Sequence, residues 1–324
     1  MEAIAQLPDL VFVGFGEAGQ AFAAPNGGVL RAYDRKTGGT DTAPAKQAEY
    51  RDHGVVGALT NAEAVAGARL ILSLVTADQA LAAAEETARS IAPGALFCDC
   101  NSVAPGTKRA AAAVIEAAGG RYVDVAVMSP VQPQRLRVPL LVSGPHSVAA
   151  VEALERLGFN PRAIGTSVGD ASSIKMIRSV MVKGIEALSA ECALAAHAAG
   201  LEAEVIASLD ASWPGADWAR RFDYNLDRML VHGIRRAAEM EEVVKTLDSL
   251  GTGSQMTRGT VVRQRAIGRL GLNDPPRGLR NKVNAISPFV LSEVEAREAG
   301  HHGEARASTS LSANGKKEKR GEAA

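Results

Sequence analysis

The run VFVGFGEAGQAF, residues 11–22, constrains this chain more than any other feature. A β-branched stretch passes into a helix former through Gly14, Gly16 and Gly19, a GxGxxG spacing that lets backbone approach a phosphate at a helix N-terminus. Gly14 permits the tight turn, Gly16 the close approach of a pyrophosphate, and Gly19 close helix packing. Phe15, Glu17 and Ala18 fill the turn and bring its backbone N–H donors. Glycine is frequent, 32 residues of 324, so the spacing alone is a weak signal. Asp34 strengthens it, because this acid ends a second strand-like run, VLRAYD, where a carboxylate accepts hydrogen bonds from adenosine ribose hydroxyls. The combination reads as a dinucleotide-binding βαβ unit with NAD or NADP as cofactor. An acid there disfavours the extra phosphate of NADP and leans the reading to NAD, while Arg35 and Lys36, immediately after it, can receive that phosphate.

Short apolar runs recur through the first half, LVFVG, VLRAY, LILSLV, ALFCD, YVDVAV and VPLLVSG, separated by alanine-rich segments. That alternation predicts βα units on a parallel sheet. Thr60 with Glu63, and Thr76 with Gln79, have capping-box spacing and predict helices starting just after each threonine. From about Gly169 apolar residues recur at helical spacing, with breaks near Trp213, Gly251 and Pro275. The fold class is therefore α/β: a Rossmann-like parallel-sheet domain over 1–166, followed by an all-α domain over 167–296. Residues 297–324 are small and polar and predict a disordered tail. His301 and His302 within it read as incidental, not as metal ligands.

Hydrophobic residues at 46% and charged ones at 22% suit a globular chain. Thirty-six basic residues balance thirty-six acidic ones, leaving no field to draw nucleic acid or an anionic membrane surface. Cys98, Cys100 and Cys192 are too few for a disulfide framework; Cys98 and Cys100, two apart on a strand, read as buried thiols on one face. No basic leader precedes an apolar core, and no apolar run approaches the roughly 18 residues of a membrane helix. The expected location is the cytoplasm, with no metal.

From about Leu10 to Val294 the ordered motifs resemble those of the β-hydroxyacid dehydrogenases, which include 3-hydroxyisobutyrate dehydrogenase and 6-phosphogluconate dehydrogenase. After the glycine turn, DCNSVAP (99–105) is similar to the family's loop on the nicotinamide side, and YVDVAVMSPV (122–131) stands at its substrate loop. GDASSIKMIRS (169–179) is similar to its catalytic helix, with Lys175 at the catalytic lysine. The resemblance implies an NAD(P)-dependent oxidoreductase that moves a hydride between a nicotinamide and the hydroxyl or oxo group of a small hydroxy acid. It implies Lys175 as the catalytic lysine with Ser179 beside it, to which helix spacing adds Lys183, and Val75, Thr76 and Asn101 are placed on the cofactor side. Ser129, Asn101, His232 and Arg236 fall on the substrate side, and the assembly implied is a homodimer. Met128 stands where the substrate loop usually has serine, moving Ser129 one place along. Ser179 replaces the usual asparagine, and Val182 replaces the glutamate of the decarboxylating branch. These departures imply a sub-branch with its own substrate.

Lys175, Ser179, Lys183 and Glu186 are spaced by four, four and three residues, which keeps them within about 80° of one helix face. On an otherwise apolar helix such a stripe faces either water or a pocket, and a domain junction favours the pocket. A neutral lysine amine there takes the hydroxyl proton as hydride leaves. A second cation nearby would lower its pKa, so Lys183 reads as a tuner of Lys175, with a surface lysine or a substrate-carboxylate contact as the alternatives. Glu186 is a candidate partner for Lys183. His232 and Arg236, four apart, read either as a cationic approach to a substrate anion or as a surface cluster paired with Glu239. An imine reductase and a non-catalytic nucleotide sensor are the other functions open to this sequence; an amine at position 175 favours alcohol chemistry over both.

Overall fold

The computed structural model describes residues 9–23 and 29–287. The tail expected over 297–324, with His301 and His302, lies outside them. Eight strands form one sheet: β1 (Leu10–Val13), β2 (Leu30–Tyr33), β3 (Val56–Gly57), β4 (Leu70–Ser73), β5 (Leu96–Asp99), β6 (Arg121–Val127), β7 (Pro139–Ser143) and β8 (Asn160–Gly165). Their order is β3-β2-β1-β4-β5-β6-β7-β8. β6 and β7 pair antiparallel and the other neighbours pair parallel.

Short helices alternate with the strands: α1 (Glu17–Phe22), α2 (Ala43–Asp52), α3 (Asn61–Val65), α4 (Ala80–Ala88), α5 (Pro105–Ala117) and α6 (Ser147–Arg156). After them come α7 (Asp170–Ala199), α8 (Glu202–Ser212), α9 (Trp218–Leu250) and α10 (Gln255–Gly268), of which α7 and α9 are thirty residues or longer. The first half is thus a mostly parallel sheet with helices, and the second is a run of long helices.

The strand-like runs became strands because their apolar residues alternate between two cores. Leu10, Phe12, Leu70, Leu72, Leu96 and Cys98 pack into one, while Val11, Val13, Ile71 and Phe97 pack into the other. A parallel strand covered on both faces needs apolar residues at every position. β3 and β8 escaped the sequence reading. β3 has two residues, and NPRAIG of β8 carries a proline and stays largely exposed at the sheet edge, so burial left no pattern to detect.

The two expected capping boxes fared differently. Thr60 Oγ1 accepts from Glu63 N at 3.1 Å, and α3 begins at the next residue; the Glu63 carboxylate accepts from Leu59 N instead of Thr60 N. At Thr76 no box forms. A 3-10 turn over Ala77–Gln79 intervenes before α4, and the Gln79 amide donates to Asp78 Oδ2 at 2.8 Å. The acid one place before Gln79 is the stronger acceptor and captures the side chains meant for the cap.

Strand register brings a row of polar residues to the carboxyl edge of the sheet. Ser73 is level with Asp99, Asp99 with Asp124, and Asp124 with Ser143. Lys108 of α5 lies between the two acids, 3.1 Å from Asp99 Oδ1 and 3.3 Å from Asp124 Oδ1, and all three are fully buried. Burial opposes its charge, yet Asp99 and Asp124 outweigh burial and hold the Lys108 pKa above the ordinary lysine value. Tyr122 donates to Asp99 Oδ2 at 2.7 Å. Asp124 Oδ2 accepts from Gly169 N, Ser172 N, Ser172 Oγ and Ser143 Oγ at 3.0–3.1 Å. Because α7 begins at Asp170, this carboxylate takes up donors that a helix N-terminus leaves unsatisfied.

The chain divides into two compact units whose boundaries cut through the long helices. The first comprises the described residues up to Ile185 together with Ile234–Arg263. Within it Met176 of α7 packs on Ala237, Met240, Val243 and Val244 of α9 and Val261 of α10. Glu242 of α9 also accepts from Ala104 N at 2.8 Å and Thr107 Oγ1 at 3.1 Å, capping α5. The second unit comprises Glu186–Gly233 and the described residues from Gln264, around Leu194, Phe222, Leu226, Met229 and Ile267. In urea denaturation, Asp124→Ala is expected to cost about 3–5 kcal/mol, the usual loss when a buried charge is deprived of its partner, whereas Ser172→Ala costs about 1 kcal/mol. Equal losses from the two would show that Asp124 is not the anchor of α7.

Candidate functional site

The glycine turn starts where β1 ends. Gly14 has φ +90°, and a Cβ on it would lie 2.7 Å from the Leu74 carbonyl oxygen and 3.0 Å from Val75 Cγ1. Glycine is therefore required twice over, by conformation and by space. Gly16 is the N-cap of α1 with no side-chain cap, and nothing lies within 4 Å of where its Cβ would be. Gly19 packs closely, its Cβ position 3.0 Å from the Phe15 ring. The open space at Gly16, before the uncapped amides of Glu17 and Ala18, fits a pyrophosphate.

Phe15 differs from its neighbours. Its ring is buried against Tyr50 at 5.2 Å, and its N–H donates to Asp34 Oδ2 at 2.9 Å. Asp34 Oδ1 accepts from Lys36 N at 3.0 Å. Arg35 and Lys36 are exposed at the end of β2. Val75, half-buried, lies against the turn, and Thr76 beside it is exposed.

A second group of residues follows β5. Asn101 is buried, its Nδ2 donates to Ser73 Oγ at 3.0 Å, and its Oδ1 has no hydrogen-bond partner. An orphaned buried acceptor next to the carboxyl edge of a Rossmann sheet suits a ligand that brings an N–H or O–H. Lys175, half-buried on α7, lies within electrostatic reach of Cys100 and Lys108. Among the described residues its amine makes no hydrogen bond or ion pair. Burial is the main force on it, lowering its pKa to about 8. Glu239 opposes that shift, and Lys183 and Lys108 reinforce it. Lys183 therefore acts in the direction expected of a tuner, but after burial and against Glu239.

Lys183 is buried and pairs with Glu239 Oε2 at 2.8 Å, with Ser179 Oγ at 3.4 Å. Ser179 Oγ donates to the Lys175 carbonyl at 2.8 Å. The expected Lys183–Glu186 pair gives way to this one, while Glu186 accepts from Gln264 at 2.9 Å. Glu239 also takes Arg235 at 3.3 Å. Burial alone would raise the Glu239 pKa, but Lys183 and Arg235 override it and bring it to about 2. The acid is thus permanently ionised near neutral pH.

The remaining predicted residues are more scattered. Ser129 Oγ donates within its own loop, to Gln134 Oε1 at 3.2 Å. Arg236 is buried in the same unit as Lys175, whereas His232 belongs to the other unit. It is Arg235, not Arg236, that pairs with Glu239. Cys98 and Cys100 are buried and their thiol pKa values are pushed up by burial. Among the described residues no cluster suits a metal ion, and no helix is long and apolar enough to cross a membrane. A hollow of about 590 Å³ lined by Arg69, Gly94 and Arg121 lies at the amino ends of the strands. Open α/β sheets bind ligands at the other edge.

Comparison with known proteins agrees with this geometry. Residues 9–158 match the NAD binding domain of 6-phosphogluconate dehydrogenase, and residues 196–267 match the domain of unknown function DUF1932. A conserved hypothetical protein from Sinorhizobium meliloti 1021 is 36% identical and covers 88% of this chain and 97% of its own, with a TM-score of 0.68. The 3-hydroxyisobutyrate dehydrogenase of Mycobacterium tuberculosis, solved with L-serine, covers 86% of this chain and 99% of its own at 16% identity and a TM-score of 0.66, a likeness of fold. The chain belongs to the β-hydroxyacid dehydrogenase family. An uncharacterized 28.5 kDa protein of Methanothermus fervidus is 26% identical over 176 residues, 54% of this chain and 66% of that protein. An NAD(P)-binding domain is thus present in this member of the family.

Sequence reasoning passed over Lys46, Lys108, Asp99 and Tyr122, and it took Glu239 for a surface partner. Acids that close apolar strands, Asp99 and Asp124, were the available signal for the Lys108 cluster. Nothing local marks Glu239, whose role depends on where α9 docks. Gly16→Ala is expected to change stability by less than ~1 kcal/mol, since its Cβ meets nothing, and to weaken NADH or NADPH binding at least tenfold in a fluorescence titration. Gly14→Ala should instead destabilise by roughly 2 kcal/mol or more through strain and overlap.

Proposed function

We propose that this chain is an NAD(P)-dependent oxidoreductase that interconverts the hydroxyl and oxo forms of a small carboxylic acid, with Lys175 as general acid/base. The observation that carries the reading is the Lys175 amine: half-buried, without a partner among the described residues, and with a pKa of about 8. Such a group exchanges a proton near neutral pH, whereas an ordinary surface lysine stays charged. A nicotinamide, when bound, accepts or returns the hydride. In the oxidation direction the Lys175 amine takes the hydroxyl proton, and in reduction it returns that proton to the carbonyl oxygen. The balanced reaction converts hydroxy acid and oxidised nicotinamide into oxo acid, reduced nicotinamide and one proton.

Lys183 acts on this amine through its charge, and Ser179 links the two lysines along α7. The Ser179 hydroxyl bonds the Lys175 carbonyl and accepts from Lys183, and Lys183 is neutralised by Glu239. The orphan Asn101 Oδ1 is assigned to the nicotinamide carboxamide or the substrate hydroxyl, and Ser129 and Arg236 to the substrate carboxylate. A nucleotide sensor has no use for an amine poised in this way, so Lys175→Ala separates the two readings.

Screening 3-hydroxy acids with NAD and NADP, followed by the absorbance of the reduced nicotinamide, is expected to find one substrate class. On it Lys175→Ala should lower kcat by about 10³-fold, with cofactor affinity unchanged. A base must be neutral to accept a proton, so the oxidation rate should rise with pH through about 8 and the reduction rate should fall there. Glu239→Gln removes the charge that favours the protonated amine, and so should shift the limb to lower pH; Lys183→Met should shift it to higher pH. Movement of both variants in the same direction would contradict the assignment.

A further inference from the structure

Lys46, a lysine of α2, is only 4% exposed and lies beneath the glycine turn. Its Nζ donates to the Phe15 carbonyl at 2.8 Å and bonds Glu49, and it stands 3.9 Å from Asp34 Oδ2. A buried ammonium is costly unless paired, and this one is spent on two acids and the backbone of the phosphate-binding turn. Asp34 is the acid expected to select NAD by repelling the 2′-phosphate of NADP.

Three observations alter that expectation. The Asp34 side chain is 15% exposed, and each of its oxygens already holds a backbone N–H, from Phe15 and from Lys36. Lys46 faces the same oxygen as Phe15 and offsets the carboxylate charge from below. By holding Lys36 N, Asp34 also forms the 3-10 turn Arg35–Gly38, which carries two exposed cations at the end of β2. Among the described residues the side chains of Arg35 and Lys36 have no hydrogen-bond or ion-pair partner. An acid partly offset inside by an ammonium that it shares with Glu49, and flanked by two exposed cations outside, no longer presents a net negative surface to an incoming phosphate.

We infer that Lys46 determines cofactor specificity: by compensating Asp34 it lets Arg35 and Lys36 bind a 2′-phosphorylated adenosine, so that NADP is preferred despite the acid. The inference rests on nucleotide binding at the glycine turn, and not on the chemistry assigned to Lys175.

The test is calorimetric titration of the full chain with adenosine 2′,5′-bisphosphate and with adenosine 5′-monophosphate, which differ by the 2′-phosphate alone. The bisphosphate should bind at least about tenfold tighter, the order expected for one charge-assisted contact. The doubly substituted Arg35→Ala, Lys36→Ala chain, altered only at exposed positions, should lose that advantage and keep its monophosphate affinity. Lys46→Met should also weaken the bisphosphate about tenfold or more while leaving the monophosphate within about twofold, and adding Asp34→Asn should restore it, because the uncompensated charge is then gone. Equal affinities in the parent chain, or an equal loss of both nucleotides from Lys46→Met, would overturn the assignment. No binding of either nucleotide to the parent chain would overturn nucleotide recognition at the turn itself.

Discussion

Asp124 and Lys108 hold together what the rest of the first unit depends on. One carboxylate oxygen satisfies the amino terminus of a thirty-residue helix, and the other faces an ammonium shared with Asp99. All of these groups are removed from water, so each is stable only while the others stay in place. The cluster therefore acts as a joint between the sheet and α7. The sheet sets the positions of Asp99 and Asp124 through strand register, and α7 inherits its starting point from them. Lys175 comes one and a half turns later, at a height above the sheet edge that this joint imposes.

The same unit uses several buried lysines in distinct ways, and the difference lies in where acids stand. Lys108 has two carboxylates and remains charged. Lys183 has Glu239, an acid held ionised by its cations. Lys46 divides itself between Glu49, Asp34 and the carbonyl of Phe15. Lys175 alone among these four has no acid in contact, and burial pulls its pKa down to about 8. A lysine becomes a proton-exchanging group here by the withholding of a partner, which is an arrangement of tertiary structure and invisible in residue type.

Much of the framework could nevertheless be read from order and spacing. Strands β1, β2, β4, β5, β6 and β7 followed from apolar runs, because burial on both faces leaves a run of such residues in the sequence. Gly14 was identifiable because a turn with positive φ and a carbonyl in the way admits only glycine. β8 stayed hidden because an exposed edge strand imprints no pattern, and the cap expected at Thr76 failed because Asp78 draws the Gln79 side chain away from it. Asp34, with Lys46 beneath it, illustrates a further limit. A residue's sign is local information, but its net field depends on what lies underneath.

By itself the sequence determined the order of six of the eight strands and the change to helices after them, the glycine turn with its acid, and the presence of a lysine on a mostly apolar helix. These are consequences of covalent order: periodicity, backbone conformation and the short reach of neighbouring residues. Only tertiary structure decided that Glu239 pairs with Lys183, that Glu242 caps α5 from more than a hundred residues away, and that Lys46 sits under Asp34. Coulomb energy and desolvation depend on distance through space, and sequence separation carries almost no information about either.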